Sequence, residues 1–148
     1  MIKIYSDLNR SIGYLIGKAS KDLAARFQRV FDGAGYDVTV VQWIILMILW
    51  ENDGQSQQRI ADAVEKDKTT VTRLINGMEK RNLIVRIPDR ADHRQKLIYL
   101  TSKGKALEQP LMQLALQNIG FALKDIKKDH LKICQEVLIK ICENIAKR

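Results

Sequence analysis

The sequence predicts a mainly α-helical chain interrupted once by a β-hairpin, and three observations carry that prediction. Apolar residues recur at steps of three and four along most of the 148 positions. With 46% hydrophobic and 28% charged residues but only eight Gly and two Pro, the composition is that of a folded, helix-rich chain, neither disordered nor collagen-like. Between Leu83 and Leu100 alone the apolar period changes from 3.6 to about 2. The length suits one compact domain, 1–148, and is too short for two full-sized ones.

The elements follow in order. A long helix is expected from near Ser6 or Asp7, with Leu8, Ile12, Leu15, Ile16, Ala19, Leu23, Phe27, Val30 and Phe31 on one stripe, stopped by Gly33-Ala34-Gly35. Thr39 and Gln42 form a capping-box start for a second helix to about Glu51, apolar nearly all round and therefore buried. Asn52-Asp53-Gly54 is a turn, and Ser56 caps a short helix carrying Ile60, Ala61 and Val64. Asp67 caps the next helix, with Val71, Leu74, Ile75 and Met78 as its apolar stripe and Asn82 in the left-handed conformation at its end. Two short helices joined by a tight turn make a helix-turn-helix pattern.

The strand Leu83–Ile87, a polar loop from Pro88 to Lys96 and the strand Leu97–Leu100 make a two-stranded hairpin with a basic tip. Thr101 caps the following helix, which Pro110 bends or divides. Asp129 is expected to cap a final helix with Leu131, Ile133, Cys134, Val137, Leu138, Ile141, Cys142 and Ile145 on its apolar side.

Charge is the compositional outlier. Twenty-five Lys and Arg against seventeen Asp and Glu leave +8, which points to a polyanionic partner. Residues 1–55 are net neutral, residues 56–105 carry +6 and residues 106–148 carry +2, so the excess sits on one module. The longest unbroken apolar run, Trp43–Trp50, is eight residues, far short of a bilayer span, so no membrane partner is expected. The N-terminus lacks a signal-peptide pattern, and two cysteines suit a reducing compartment, so a cytoplasmic location is expected. Cys134 and Cys142 lie eight residues apart on one helix, about 12 Å along its axis, too far for a mutual disulfide.

The second helix of the helix-turn-helix is readable face by face. Opposite its apolar stripe stand Thr69, Arg73, Asn76 and Lys80, with Thr70 and Thr72 on the flanks, a face of cations and hydrogen bonders without an acid. Such a face fits a major groove, where Arg grips guanine, Asn reads adenine and Thr meets phosphate or a thymine methyl. Because the N-terminal turns of a docked recognition helix reach deepest, Thr69, Thr70 and Arg73 outrank Lys80 as base contacts. The hairpin tip adds Arg90, Asp92, His93, Arg94 and Lys96. An arginine there can enter the narrow, negative minor groove, with Asp92 orienting, Arg94 inserting and Arg90 a second candidate.

The run from Lys68 to Arg86, Lys-Thr-Thr-Val-Thr-Arg-Leu-Ile-Asn-Gly-Met-Glu-Lys-Arg-Asn-Leu-Ile-Val-Arg, followed by Asp92-His-Arg94 and Leu100-Thr-Ser-Lys-Gly104, resembles the MarR family of bacterial transcription regulators. Asn82 stands where many members have Gly, and it keeps the helix-ending role. The resemblance implies a winged helix-turn-helix lobe over residues 37–100, with Lys68 added to the DNA-binding set, and dimerisation helices over 1–34 and 101–148. It further implies an obligate homodimer on a pseudo-palindromic duplex operator, repression as the default outcome, and release by a small, often aromatic or anionic effector. Trp43 and Tyr14 are candidates to line an effector crevice, with core packing the simpler role for each. The stripes on the first and last helices agree, because they carry more apolar surface than the central module covers.

Other classes fit less well. There is no Gly-rich phosphate loop and no Ser, His and Asp set at a recognisable spacing, so no enzyme activity and no cofactor are expected. Cys134, Cys142 and His130 match no common zinc spacing, so no metal is expected either. Two alternatives remain: a regulator that senses oxidant through Cys134 or Cys142, and a winged helix that binds protein instead of DNA.

Overall fold

The structure, a computed structural model, describes residues 10–146. The chain runs α1 (Ile12–Gly33), α2 (Val40–Glu51), β1 (Gln55–Ser56), α3 (Gln57–Val64), α4 (Lys68–Lys80), β2 (Ile84–Pro88), β3 (Lys96–Leu100), α5 (Ser102–Ala106), α6 (Glu108–Ala122) and α7 (Lys128–Ala146). Two compact units divide between Asn118 and Ile119, within α6.

Capping chemistry sets most of the helix boundaries in the first unit. Helix α1 begins after Ser11, so the expected start near Ser6 or Asp7, and Leu8 with it, lie outside the described residues. Its end is a Schellman motif, in which Gly35 takes φ +84° while its N–H donates to Asp32 and the Tyr36 N–H donates to Phe31. Gln28 then satisfies the linker, donating to the Val38 carbonyl and accepting from the Val40 N–H. At α2 the capping box is complete: Thr39 Oγ1 accepts from the Gln42 N–H and Gln42 Oε1 from the Thr39 N–H.

Ser56 caps α3, and Asp67 caps α4. The end of α4 repeats the Schellman pattern with Asn82 at φ +59°, its N–H donating to Glu79 and the Leu83 N–H to Met78. Asn82 thus plays the part the sequence assigns it.

The sheet has three antiparallel strands in the order β1-β3-β2, one more than the hairpin alone supplies. Gln55 pairs with Ile98 and Ser56 with Leu97, while Ile84 to Pro88 pair with Leu100 to Lys96. Pro88 and Lys96 are therefore strand residues, and the loop between them is shorter than expected. Asp53 ties the extra strand down, its Oδ1 accepting from the N–H groups of Gly54 and Leu100.

Phe31, Ile45, Leu46, Leu49, Ile60, Val71, Ile75, Met78, Ile84, Ile98 and Leu111 are fully buried and join the helices to one face of the sheet. Trp43 stacks on Phe27 and meets Phe31 edge-on, so core packing is its role here. Tyr14 is exposed. Thr101 caps α5, and the rod breaks at Leu107, leaving Pro110 in the first turn of α6, where its missing N–H costs nothing.

In the second unit, α7 starts at Lys128 and the Leu131 N–H donates to the Lys127 carbonyl. Asp129 is therefore an acid of the first turn, favourable to the helix dipole, and not the cap expected of it. Among the described residues no helix is long and apolar enough to cross a membrane.

Candidate nucleic-acid interface

The site is built on α4, whose inner face is anchored by the buried Val71, Ile75 and Met78. With that face fixed, Lys68, Thr69, Arg73, Asn76 and Lys80 must stand outward, and all five are exposed. An open depression of about 450 Å³ runs along the outer face, lined by Lys68, Thr69, Thr72, Arg73 and Asn76. A second depression, of about 270 Å³, lies between the start of α3 and the base of the wing. It is lined by Lys68, Arg94 and Lys96, with the amides of Gln57, Gln58 and Gln95 between them. Lys68 lines both, and no carboxylate is among the residues that line either.

Lys68, Arg73, Lys80, Arg90, Arg94 and Lys96 enter none of the ion pairs found among the described residues, which involve Lys18, Arg81, Arg86 and Lys140. Their charge is uncommitted. Thr70 and Thr72 differ from the rest of the expected set, being half-buried and engaged within the protein. The Thr70 hydroxyl donates to Asp67, and the Thr72 hydroxyl donates to the Lys68 carbonyl while accepting from Gln57 Nε2. Both threonines hold the start of α4 in shape. The Thr70 N–H and hydroxyl together also hold the Asp67 carboxyl below its ordinary range.

The wing turn is shaped by its two aspartates. Asp89 Oδ1 accepts from the Ala91 N–H and Asp92 Oδ1 from the Arg94 N–H, while the Asp89 N–H donates to Gln95 and the Gln95 N–H to Asp92. Asp92 thus meets Arg94 at its main-chain N–H, and none of the ion pairs found among the described residues joins it to the guanidinium. Arg90, Asp92, His93, Arg94 and Lys96 are all exposed.

Arg86 is a residue the sequence pattern conceals. It alternates within β2 like any strand residue, yet its guanidinium donates to Asn76 Oδ1 at 2.6 Å and pairs with Glu79 at 3.3 Å. It thereby ties α4 to the wing and pairs with an acid on α4. Gln57 and Gln58 were likewise hidden, because polar residues after an N-cap read as solvated surface. In α7, Cys134 and Cys142 are both exposed free thiols, and no cluster of metal-ligating side chains occurs among the described residues.

The sequence pattern that defines the MarR family matches residues 38–96, the segment from the start of α2 through the wing. The transcriptional regulator SarZ of Staphylococcus aureus is 27% identical over 112 residues, which cover 76% of this chain and 74% of that protein. Among solved structures, the transcriptional regulator PA3341 superposes with a TM-score of 0.81 at 28% identity, covering 92% of this chain and 98% of that one. A MarR family regulator from Listeria monocytogenes, complexed with 26mer DNA, gives 0.82 at 27% identity over 91% of this chain and 89% of its own. The helix-turn-helix and the wing loop fall within the segment that matches the MarR family, and the chain has the winged helix-turn-helix fold of MarR transcriptional regulators, to which it is similar in sequence as well.

Proposed function

We propose that the chain is a transcription regulator that binds a pseudo-palindromic duplex operator as a homodimer, with α4 in the major groove and the wing in the flanking minor groove. The observation that carries this reading is the pair of acid-free depressions, one on α4 and one at the base of the wing, that share Lys68 and are lined by cations in none of the ion pairs found among the described residues. Arg73, Asn76 and Thr69 read bases, Lys68, Lys80, Lys96 and the amides of Gln57 and Gln58 hold phosphates, and Arg94, with Arg90 and His93 beside it, enters the minor groove. Arg86 occupies the Asn76 oxygen, so Asn76 offers its amide N–H donors to the bases. The DNA complex of the Listeria regulator supports the same partner for this chain.

The dimer reading rests on apolar faces that the single chain leaves in water. Ile12, Leu15 and Ile16 of α1, Leu116 of α6, and Ile133, Val137 and Ile145 of α7 are all exposed. A second copy buries them by two-fold symmetry. Repression, by a dimer that occludes a promoter, and release by a small effector complete the proposal.

The test is affinity for duplexes selected from random DNA, measured from low to high salt. Log affinity falls against log salt with a slope of roughly −0.9 per neutralised phosphate. A winged helix that binds protein instead shows no such slope and selects no common sequence.

A further inference from the structure

Arg86 stands in β2 opposite Ile98 of β3, on the sheet face that also carries the buried Ile84 and Leu100, so its side chain leaves the sheet on the side of the helices. There it meets α4. Its Nη2 donates to Asn76 Oδ1 at 2.6 Å, and its Nη1 meets Glu79 Oε1 at 3.3 Å. With both nitrogens engaged and only 17% of its side chain exposed, Arg86 is placed to act on DNA through Asn76 and not by touching it.

A guanidinium carries donors and no acceptor, so the Asn76 amide has one orientation, oxygen toward Arg86 and nitrogen away from it. Asn76 is exposed and lines the depression on the outer face of α4. The edge it presents there is a pair of N–H donors. A free asparagine reads adenine with both atoms, its oxygen accepting from N6–H while its nitrogen donates to N7. An oxygen committed to a charged donor of the protein is withdrawn from that pairing. Guanine suits two donors, because N7 and O6 stand side by side as acceptors in the major groove, whereas adenine sets a donor beside N7 and cytosine offers only a donor.

Resting on the operator reading above, we propose that Arg86 is a positioning residue for sequence readout. By holding the Asn76 oxygen it makes Asn76 a reader of guanine, in place of adenine, at one base pair of each half-site.

Selection from random duplexes by the full chain, followed by binding to the selected duplex with each base pair changed in turn, tests it. Asn76→Ala locates the pair, as the position whose preference it erases. The wild type is expected to favour guanine over adenine there by about tenfold. Arg86→Met keeps an aliphatic stem against the sheet and frees the Asn76 oxygen, so adenine is expected to overtake guanine by at least about threefold, with the other positions unchanged. Arg86→Lys restores a cationic donor and is expected to keep guanine. An arginine with a merely structural role would, on removal, weaken binding to all four bases alike. Where Arg86→Met does not fold, as read from its unfolding midpoint, the base preferred by the wild type still decides. Adenine preferred by the wild type, a guanine preference that survives Arg86→Met, or no position altered by Asn76→Ala overturns the proposal and leaves the operator reading standing. A wild type that selects no common sequence overturns the operator reading itself, and the role of Arg86 with it.

Discussion

Gly104 shows how one residue joins the wing to the helices behind it. A Cβ there would lie 2.2 Å from the Leu83 carbonyl oxygen, and its own carbonyl accepts from Trp50 Nε1. The approach to Leu83 needs a bare backbone. Gly104→Ala is therefore expected to destabilise the fold by about 1 to 3 kcal/mol, measured by urea unfolding, because the oxygen it meets is main chain and cannot swing aside. Arg86 belongs to the same scale. A strand pattern of alternating residues marks it as facing one side of the sheet, but its two partners, Asn76 and Glu79, lie ten and seven positions away on another element. Pairing of that kind is a tertiary fact, and no local period carries it.

Elements whose ends are set by local chemistry were legible in the sequence. Thr39 with Gln42, Ser56, Asp67, Asn82 and Thr101 mark their boundaries because each satisfies backbone groups within four residues of itself. Strand β1 was not legible, since two residues cannot display a period and its pairing with β3 depends on Asp53 reaching Leu100. Asp129 misled for a related reason: an acid one position inside a helix and an acid at its cap look alike when both favour the N-terminus.

The cap at Asp67 has a pH signature. Its folded carboxyl is held below the ordinary value, so its contribution to stability is present above the unfolded pKa and is lost as pH falls through the lowered folded one. Asp67→Asn is expected to flatten the acid side of the stability profile, read as unfolding midpoints from neutral pH downward. An unchanged acid slope contradicts the capping account.

At the scale of the whole molecule, the charge surplus and the apolar surplus occupy different segments. The +6 falls within residues 56–105 and lies along two depressions without acids, whereas α1 and α7 carry exposed isoleucines and leucines. Two copies joined through the apolar helices carry two such faces, and a symmetric protein calls for symmetric DNA. If the proposed dimer forms through α7, Ile133→Lys combined with Val137→Lys is expected to leave a monomer in sedimentation, with each lobe still folded, and to weaken operator binding by orders of magnitude through loss of the second half-site. A double variant that stays dimeric places the interface elsewhere. Candidate DNA contacts can be nominated from the sequence because exposed cations on a helix with a clear apolar face announce themselves, whereas the engagement of the Thr70 and Thr72 hydroxyls at the start of α4 has no sequence signal.

The central claim is that the outer face of α4 and the wing together grip DNA, and equilibrium binding of Arg73→Ala and Arg94→Ala to a selected operator duplex tests it most directly. Each is expected to lose about 1 to 3 kcal/mol of affinity with unfolding midpoints unchanged, and Arg73→Ala also to relax base preference within the half-site. Full operator affinity in both variants would contradict the account.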